Sequence, residues 1–304
     1  MNRVQLHPNT SLKLEHGDIL HFAESEVRII EVKGQKPVSL TDGNQKTVAG
    51  IATLPEVLPS GFKEMSQLIS ERLVTTAFQP IIDVQNQTIH AYEMLGRGSH
   101  PALEKSPGEL FSKAESFYKA VEFSELFRAK GVELAASFDI PQPFFLNIHP
   151  EEHKHNGRLL EQLQELRIQH PDVSMVLELH EQVTSDIEQL KALKLALEHL
   201  NIKFAYDDFG AGQTRLLELV EVPADYLKFD IALVRDIHLA TEAHKDMIQM
   251  LVQQARKAGT QTLAEGIEVA ADVKVCSELG FDFVQGYYFG KPLEGDIQLS
   301  IMPR

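Results

Sequence analysis

From about Thr75 onward, short apolar runs of strand character alternate with helical segments on a repeat of roughly thirty residues, and few architectures accept that rhythm. The strand candidates are Ala77 to Val84, Thr88 to Leu95, Phe144 to Ile148, Met175 to Leu179, Lys203 to Tyr206, Tyr226 to Phe229, Gln261 to Ala264 and Phe283 to Tyr287. Helical stretches lie between them at Leu110 to Lys130, Arg158 to Arg167, Ile187 to His199, Ala243 to Ala258 and Ala270 to Leu279, with Gly131, Gly259 and Gly280 placed to close three of them. Such units spread over about 240 residues predict an α/β fold, a TIM-like (β/α)8 barrel. The first pair breaks the pattern. Only Gln85-Asn86-Gln87 separates these two strands, whereas a parallel crossover needs a dozen or more residues, so they are expected to be antiparallel.

The opening segment reads differently. Runs at Ser11 to Leu14, Ile19 to Phe22 and Val27 to Val32 are separated by turn signals, Gly17-Asp18 and Asp42-Gly43 among them. Pro55, Pro59 and Gly61 then disfavour both helix and interior strand. A boundary is expected there, with a small all-β module over 1–61 and the barrel over 62–304, entered through an amphipathic helix from Lys63 to Leu73. With 43% hydrophobic and 24% charged residues, 304 residues suit one large globular domain and a small one. The single cysteine, Cys276, cannot form an intrachain disulfide, and its place beside Val273 and Leu279 on a helix reads as a buried, inert thiol. Met1 to Gln5 lacks the apolar stretch of a secretory signal, and no window approaches the roughly twenty apolar residues of a membrane helix. A cytoplasmic protein with no membrane partner is the expectation.

Charge narrows the ligand. Lys and Arg number 29 against 44 Asp and Glu, a formal net charge of −15, and no basic run offers the phosphate contacts that a nucleic-acid polymer requires. The acidic residues fall in register instead. Glu93, Asn147, Glu178, Asp207 with Asp208, Lys228, Glu265 with Glu268, and Gln285 each end a predicted strand or begin the next loop, where a barrel gathers its reactive groups. Taken singly, each is a turn former or helix cap. Gathered at one mouth, six carboxylates would repel and raise one another's pKa values unless positive charge sits among them, and bound metal is the simplest source. Oxygen donors from Glu93, Glu178, Asp207, Asp208 and the Asn147 amide suit Mg²⁺ or Mn²⁺ rather than zinc or copper. The adjacent aspartates point to two ions, about 3.5–4 Å apart, in the arrangement that serves phosphodiester displacement. Lys228 is placed to neutralise charge on a phosphate oxygen or orient the attacking water, Arg97 to clamp phosphate, and Glu265 to act as general base.

These residues resemble a known family. The segment from Phe78 to Leu293 is similar to the EAL-domain phosphodiesterases that linearise the bacterial second messenger cyclic di-GMP. Its naming motif stands here as Glu93-Met94-Leu95, inside Tyr92 to Arg97 and preceded by Phe78-Gln79-Pro80-Ile81. Further blocks are Asn147-Ile148-His149-Pro150, Glu178-Leu179-His180-Glu181, Asp207 to Gly212 with Asp225 to Asp230, Ala264-Glu265-Gly266-Ile267-Glu268, and Val284 to Phe289. The resemblance implies metal ligation by Glu93, Asn147, Glu178, Asp207 and Asp208, with Lys228 and Glu265 serving the water. It implies that Glu181 steadies the loop after the paired aspartates, that Glu268 and Gln285 complete the site, and that Gln79 and Arg97 contact substrate. The implied reaction opens cyclic di-GMP to linear pGpG, in a homodimer formed through the barrel.

This chain departs from the family in places. Gln213-Thr214-Arg215 stands where Tyr-Ser-Ser is usual, which keeps open a cyclic di-GMP receptor that binds without cutting, or a scaffold. His149 and His180 replace small hydroxyl residues and read as structural. The cluster His149, His153, His155 reads as solvated. Leu12 to Phe22 followed by Val27 to Ile30 resembles the second half of a forkhead-associated β-sandwich, without the half that grips phosphothreonine, so a docking or dimerising module with a protein partner is expected.

Overall fold

The computed structural model describes residues 19–22, 25–28, 61–180, 186–210 and 216–297. Glu181, the Gln213-Thr214-Arg215 substitution, the Asp42-Gly43 turn and most of the proline-containing boundary segment lie outside them. The chain divides into two units, Met1–Lys63 and Glu64–Arg304. In the first, β1 (Ile19–Phe22) and β2 (Ser25–Arg28) pair antiparallel, from Ile19 opposite Arg28 to Phe22 opposite Ser25.

Following α1 (Phe62–Ser70), the second unit runs β3 (Val74–Asp83), β4 (Thr88–Gly98), α2 (Pro107–Ser116), α3 (Ala120–Ala136), β5 (Phe144–Asn147), a 3₁₀ turn (Pro150–His155) and α4 (Asn156–Gln169). It continues through β6 (Met175–His180), α5 (Ile187–His199), β7 (Lys203–Phe209), α6 (Leu216–Glu221), β8 (Tyr226–Phe229) and α7 (Ile231–Val234). After a second 3₁₀ turn (Ile237–Leu239) come α8 (Glu242–Lys257), β9 (Gln261–Ala264), α9 (Ala270–Leu279), β10 (Phe283–Gln285) and β11 (Leu293–Glu294). From β4 to β10 each strand pairs parallel with the next. The short β3–β4 connection does produce an antiparallel pair, and β3 also pairs antiparallel with β10, which closes the barrel. β11 adds to the free part of β3, Leu293 opposite Phe78. No helix among the described residues is long and apolar enough to cross a membrane.

The helix expected at Leu110 to Lys130 is instead two, because the chain turns at Tyr118, a non-glycine residue with φ of +58°. Gly131 does not close it but lies within α3, where a Cβ would come within 2.6 Å of Met94 Sδ. Its role is close approach of helix to strand, which competes with the cap reading because a missing side chain serves both. Gly259 and Gly280 do follow helix ends with positive φ.

Ile81, Ala91, Phe145, Val176, Ala205, Tyr226, Leu263 and Phe283, one from each barrel strand, form a single buried cluster inside the barrel. They exclude water from its middle. The two larger clusters fill the space between strands and outer helices, one around Phe144, Leu163 and Leu193, the other around Phe229, Val252 and Cys276. Cys276 is fully buried, and burial pushes its thiol up to about 12, as an inert packing residue requires. The apolar side of α8 is divided: Ile248, Val252 and Ala255 are buried, while Met247 remains 43% exposed.

Gly286, at the end of β10, has backbone where a side chain would go, since a Cβ there would meet Ile267 O at 2.0 Å and Ile267 N at 2.3 Å. Backbone cannot rotate away as a side-chain tip can. Gly286→Ala is expected to destabilise the barrel by at least about 3 kcal/mol, the upper end of ordinary overpacking, seen as a lowered thermal midpoint. An unchanged midpoint would refute this packing.

Candidate active site

Side chains alternate along a strand, so the residue two positions beyond each interior residue also faces inward. Stepping toward the carboxyl ends from the apolar floor leads from Ala91 to Glu93, Phe145 to Asn147, Val176 to Glu178, Ala205 to Asp207, Tyr226 to Lys228, Leu263 to Glu265 and Phe283 to Gln285. On β3, which runs the other way, the step is from Ile81 back to Gln79, and Gln79 sits opposite Glu93. A polar layer thus caps an apolar one. Every one of these residues belongs to the set read from the sequence.

Lys228 stands at the centre, 1% exposed. Its Nζ lies 2.5 Å from Glu178 Oε1, 2.8 Å from Asp207 Oδ1, 2.9 Å from Glu265 Oε1 and 3.6 Å from Glu93 Oε1. Burial alone would lower its pKa, but these four carboxylates outweigh that and hold the ammonium well above its ordinary value. The carboxylates are strained in the opposite sense. Burial, reinforced by neighbouring carboxylates and only partly opposed by Lys228, raises Glu178 and Asp207 and pushes Glu265 up to about 8. Gln285 Nε2 donates to Glu93 Oε2 at 2.6 Å and to Gln79 Oε1 at 3.2 Å, and Gln79 Nε2 reaches Gly290 O. The Asn147 amide reaches Glu93 Oε1 at 3.4 Å.

Strict alternation would turn Asp208 away from Asp207. A bulge prevents it. The β7–β8 register runs from Tyr206 opposite Leu227 to Phe209 opposite Phe229, so two aspartates oppose the single Lys228, and Asp208 takes φ of +56°. Oxygens of Asp207, Asp208 and Glu265 then lie within 4.8 Å of one another. His180 Nε2 sits 2.8 Å from Asp208 Oδ2, and this hydrogen bond holds the Asp208 carboxyl below its usual range. His149 packs away from the layer, stacked on Phe111 with Nε2 3.0 Å from Glu115.

The donors fit divalent cations. They are oxygens throughout, one lysine cannot neutralise four carboxylates, and buried Glu178 Oε2 has no hydrogen-bond partner. Beside the layer opens a cavity of about 310 Å³ lined by Gln79, Glu93, Glu265, Gln285, Arg235 and Glu268, among others. Glu268 is not in the layer but on this rim, exposed and 3.7 Å from Arg235. The Arg97 guanidinium turns onto its own backbone, 2.8 Å from Gly96 O. Sequence reasoning missed Arg235, whose only signal is its place five residues beyond Asp230.

This barrel, with its reversed first strand and acidic mouth, defines a class. The family model described as EAL domain matches residues 63–292, and the chain belongs to that family. It is 28% identical over 266 residues to the probable cyclic di-GMP phosphodiesterase PdeN of Escherichia coli, covering 84% of this chain and 51% of that protein. It is 31% identical over 129 residues to the cyclic di-GMP phosphodiesterase PdeL of Escherichia coli, covering 42% of this chain and 35% of that one. The chain spans about half or less of the length of these relatives. Among solved structures, the FimX EAL domain from Pseudomonas aeruginosa bound to c-di-GMP matches with a TM-score of 0.70 at 20% identity, covering 80% of this chain and all of that one. A manganese/cy-diGMP complex of Klebsiella pneumoniae BlrP1 matches with a TM-score of 0.66 at 25% identity, covering 74% of this chain and 57% of that one. The forkhead-associated resemblance of the opening segment is not borne out. What is described there is a single hairpin, β1 with β2, and the Gly17-Asp18 turn lies outside the described residues.

Lys228→Ala would leave buried carboxylates without their counter-charge. The metal-free variant is expected to lose about 3–5 kcal/mol of stability at neutral pH, measured by chemical denaturation. No loss would mean that these carboxyl groups are neutral in the folded chain.

Proposed function

We propose that this chain hydrolyses one phosphodiester bond of cyclic di-GMP, giving linear pGpG, with two divalent cations, Mg²⁺ or Mn²⁺. The observation that carries the reading is the polar layer itself, in which carboxylates outnumber the one ammonium and a buried Glu178 oxygen is left without a partner. Support comes from the similarity to the probable cyclic di-GMP phosphodiesterase PdeN, the cyclic di-GMP phosphodiesterase PdeL and the BlrP1 manganese/cy-diGMP complex.

In this reading Glu93, Asn147, Glu178, Asp207 and Asp208 hold the ions, which supply Lewis acidity and offset charge developing on the phosphate oxygens. Glu265, whose pKa burial raises to about 8, accepts the proton of the attacking water in its ionised form. Lys228 orients that water and offsets charge on the phosphate. The Gln285–Gln79 pair steers substrate along the cleft with Glu268 on its rim, and Arg97 is a further substrate contact. Glu181 steadies the loop after Asp208. Residues 1–61 form a separate β module that docks a protein partner, 62–304 form the catalytic domain, and the barrel pairs as a homodimer in the cytoplasm, a state in which exposed Met247 and Met250 on α8 would find cover.

The test is incubation of the purified chain with cyclic di-GMP and Mg²⁺ or Mn²⁺, followed by chromatography. Linear pGpG is expected, with Glu93→Ala slowing its formation by about 100-fold or more. Tight binding without product would overturn hydrolysis and leave a receptor; no binding at all would overturn the ligand. Ca²⁺ should support binding with little turnover, because its longer, looser coordination suits a two-ion displacement poorly. Equal rates with Ca²⁺ would count against that mechanism.

A further inference from the structure

Behind the polar layer lies a buried ion pair that contributes no group to it. The Arg128 side chain on α3 and the Glu152 side chain on the first 3₁₀ turn are 0% and 1% exposed, with Nη2 2.5 Å from Oε2 and Nη1 3.3 Å from Oε1. The same guanidinium donates from Nε to Gln162 Oε1 on α4 at 2.8 Å, and from Nη1 to the main-chain carbonyl of Asn147 at 3.1 Å. Glu152 accepts in turn from the backbone N–H of His149 at 2.8 Å and returns its own N–H to His149 O at 2.9 Å. Gln162 closes the network on Glu125 O.

A buried pair of this kind is weak evidence of stability, because desolvating both charges offsets much of their attraction. Its effect here is geometric. It joins α3, α4 and the turn after β5 at the carbonyl of Asn147, the residue through which β5 enters the polar layer. The β5–β6 ladder carries the main chain as far as Asn147, opposite Glu178, but leaves the side chain loosely held. The Asn147 side chain makes only long contacts, 3.4 Å to Glu93 Oε1 and 3.4 Å to Met94 O. Leu146 and Ile148 on either side pack into the core, but Asn147 itself is exposed, and a cavity of about 200 Å³ adjoins it and Arg128, walled by Met94, Phe111 and Phe127.

We infer that Arg128, clamped by Glu152, is a positioning residue: it grips the Asn147 carbonyl from behind and so keeps the Asn147 amide in place as an oxygen donor for a divalent cation. This rests on the site reading proposed above. Outer partners of metal ligands typically change affinity by about 10- to 100-fold when removed.

The test is titration of the full-length chain with Mn²⁺, followed by calorimetry or by loss of the free-ion paramagnetic resonance signal. Arg128→Met combined with Glu152→Leu removes both charges together, a change that buried pairs often tolerate. The expected result is Mn²⁺ binding about 10- to 100-fold weaker, with the metal-free thermal midpoint within a few degrees of wild type. A folded double variant that binds Mn²⁺ within twofold of wild type would overturn the proposal. Should the double variant fail to fold, Arg128→Lys decides by the same titration, because an ammonium can face Glu152 but lacks the fork that also reaches Asn147. About tenfold weaker binding then supports the proposal, and unchanged binding overturns it. A wild-type chain that binds no Mn²⁺ overturns the site reading and this inference together, whereas wild-type binding with unaffected variants overturns the inference alone.

Discussion

The arrangement around Lys228 is the constraint on which the site depends. At the effective dielectric of such places, two unit charges about 4 Å apart interact by about 4 kcal/mol, and the carboxylates repel one another on the same scale that they attract the lysine. One ammonium at 2.5–3.6 Å from four carboxylates therefore leaves an excess of negative charge that the barrel cannot dilute with solvent. The floor beneath, with Phe145, Tyr226 and Phe283, closes the space to water from below. The excess is answered in two ways that the geometry displays: several carboxyls bind protons more tightly than usual, and buried oxygens such as Glu178 Oε2 remain available to a cation.

Two irregularities of the barrel turn this stack of layers into a site. Reversal of β3 brings Gln79 rather than Asp83 to the polar layer, since the inward step from Ile81 toward the mouth runs backward along the chain. An amide beside Glu93 donates and accepts, where a further carboxylate would add to the repulsion. The bulge in β7 does the opposite for Asp208, adding a carboxylate to the mouth where alternation would have turned it outward. Its left-handed backbone is a local cost, borne at a residue type that tolerates it better than most.

The strand ends were legible because the inward residues of a barrel obey period two and the chemistry sits one step above the floor. The reversed β3–β4 pair was legible from connection length alone. What escaped is long-range. Gly131 looks the same in sequence whether it ends a helix or lets Met94 approach, and only the packing of α3 on β4 distinguishes the two. The division between α2 and α3 hinges on Tyr118, a residue with no turn signal. Arg128 and Glu152 are 24 residues apart, in stretches with no periodic relation, so nothing local marks them as partners. Arg235 and Glu268 meet across the cleft for reasons of loop direction alone.

Charge counting also bears on how many ions the proposed mechanism needs. Glu93, Glu178, Asp207, Asp208 and Glu265 with Lys228 amount to four formal negative charges, or three if Glu265 keeps its proton near neutral pH, as burial favours. One divalent ion would leave the mouth negative and hostile to a phosphodiester. Two bring it to neutral or slightly positive, the condition under which an anionic substrate can enter a chain whose overall charge is −15. The acidity that excludes nucleic-acid polymers from the surface thus becomes, in the barrel mouth, the means of concentrating positive charge where a small dinucleotide would bind.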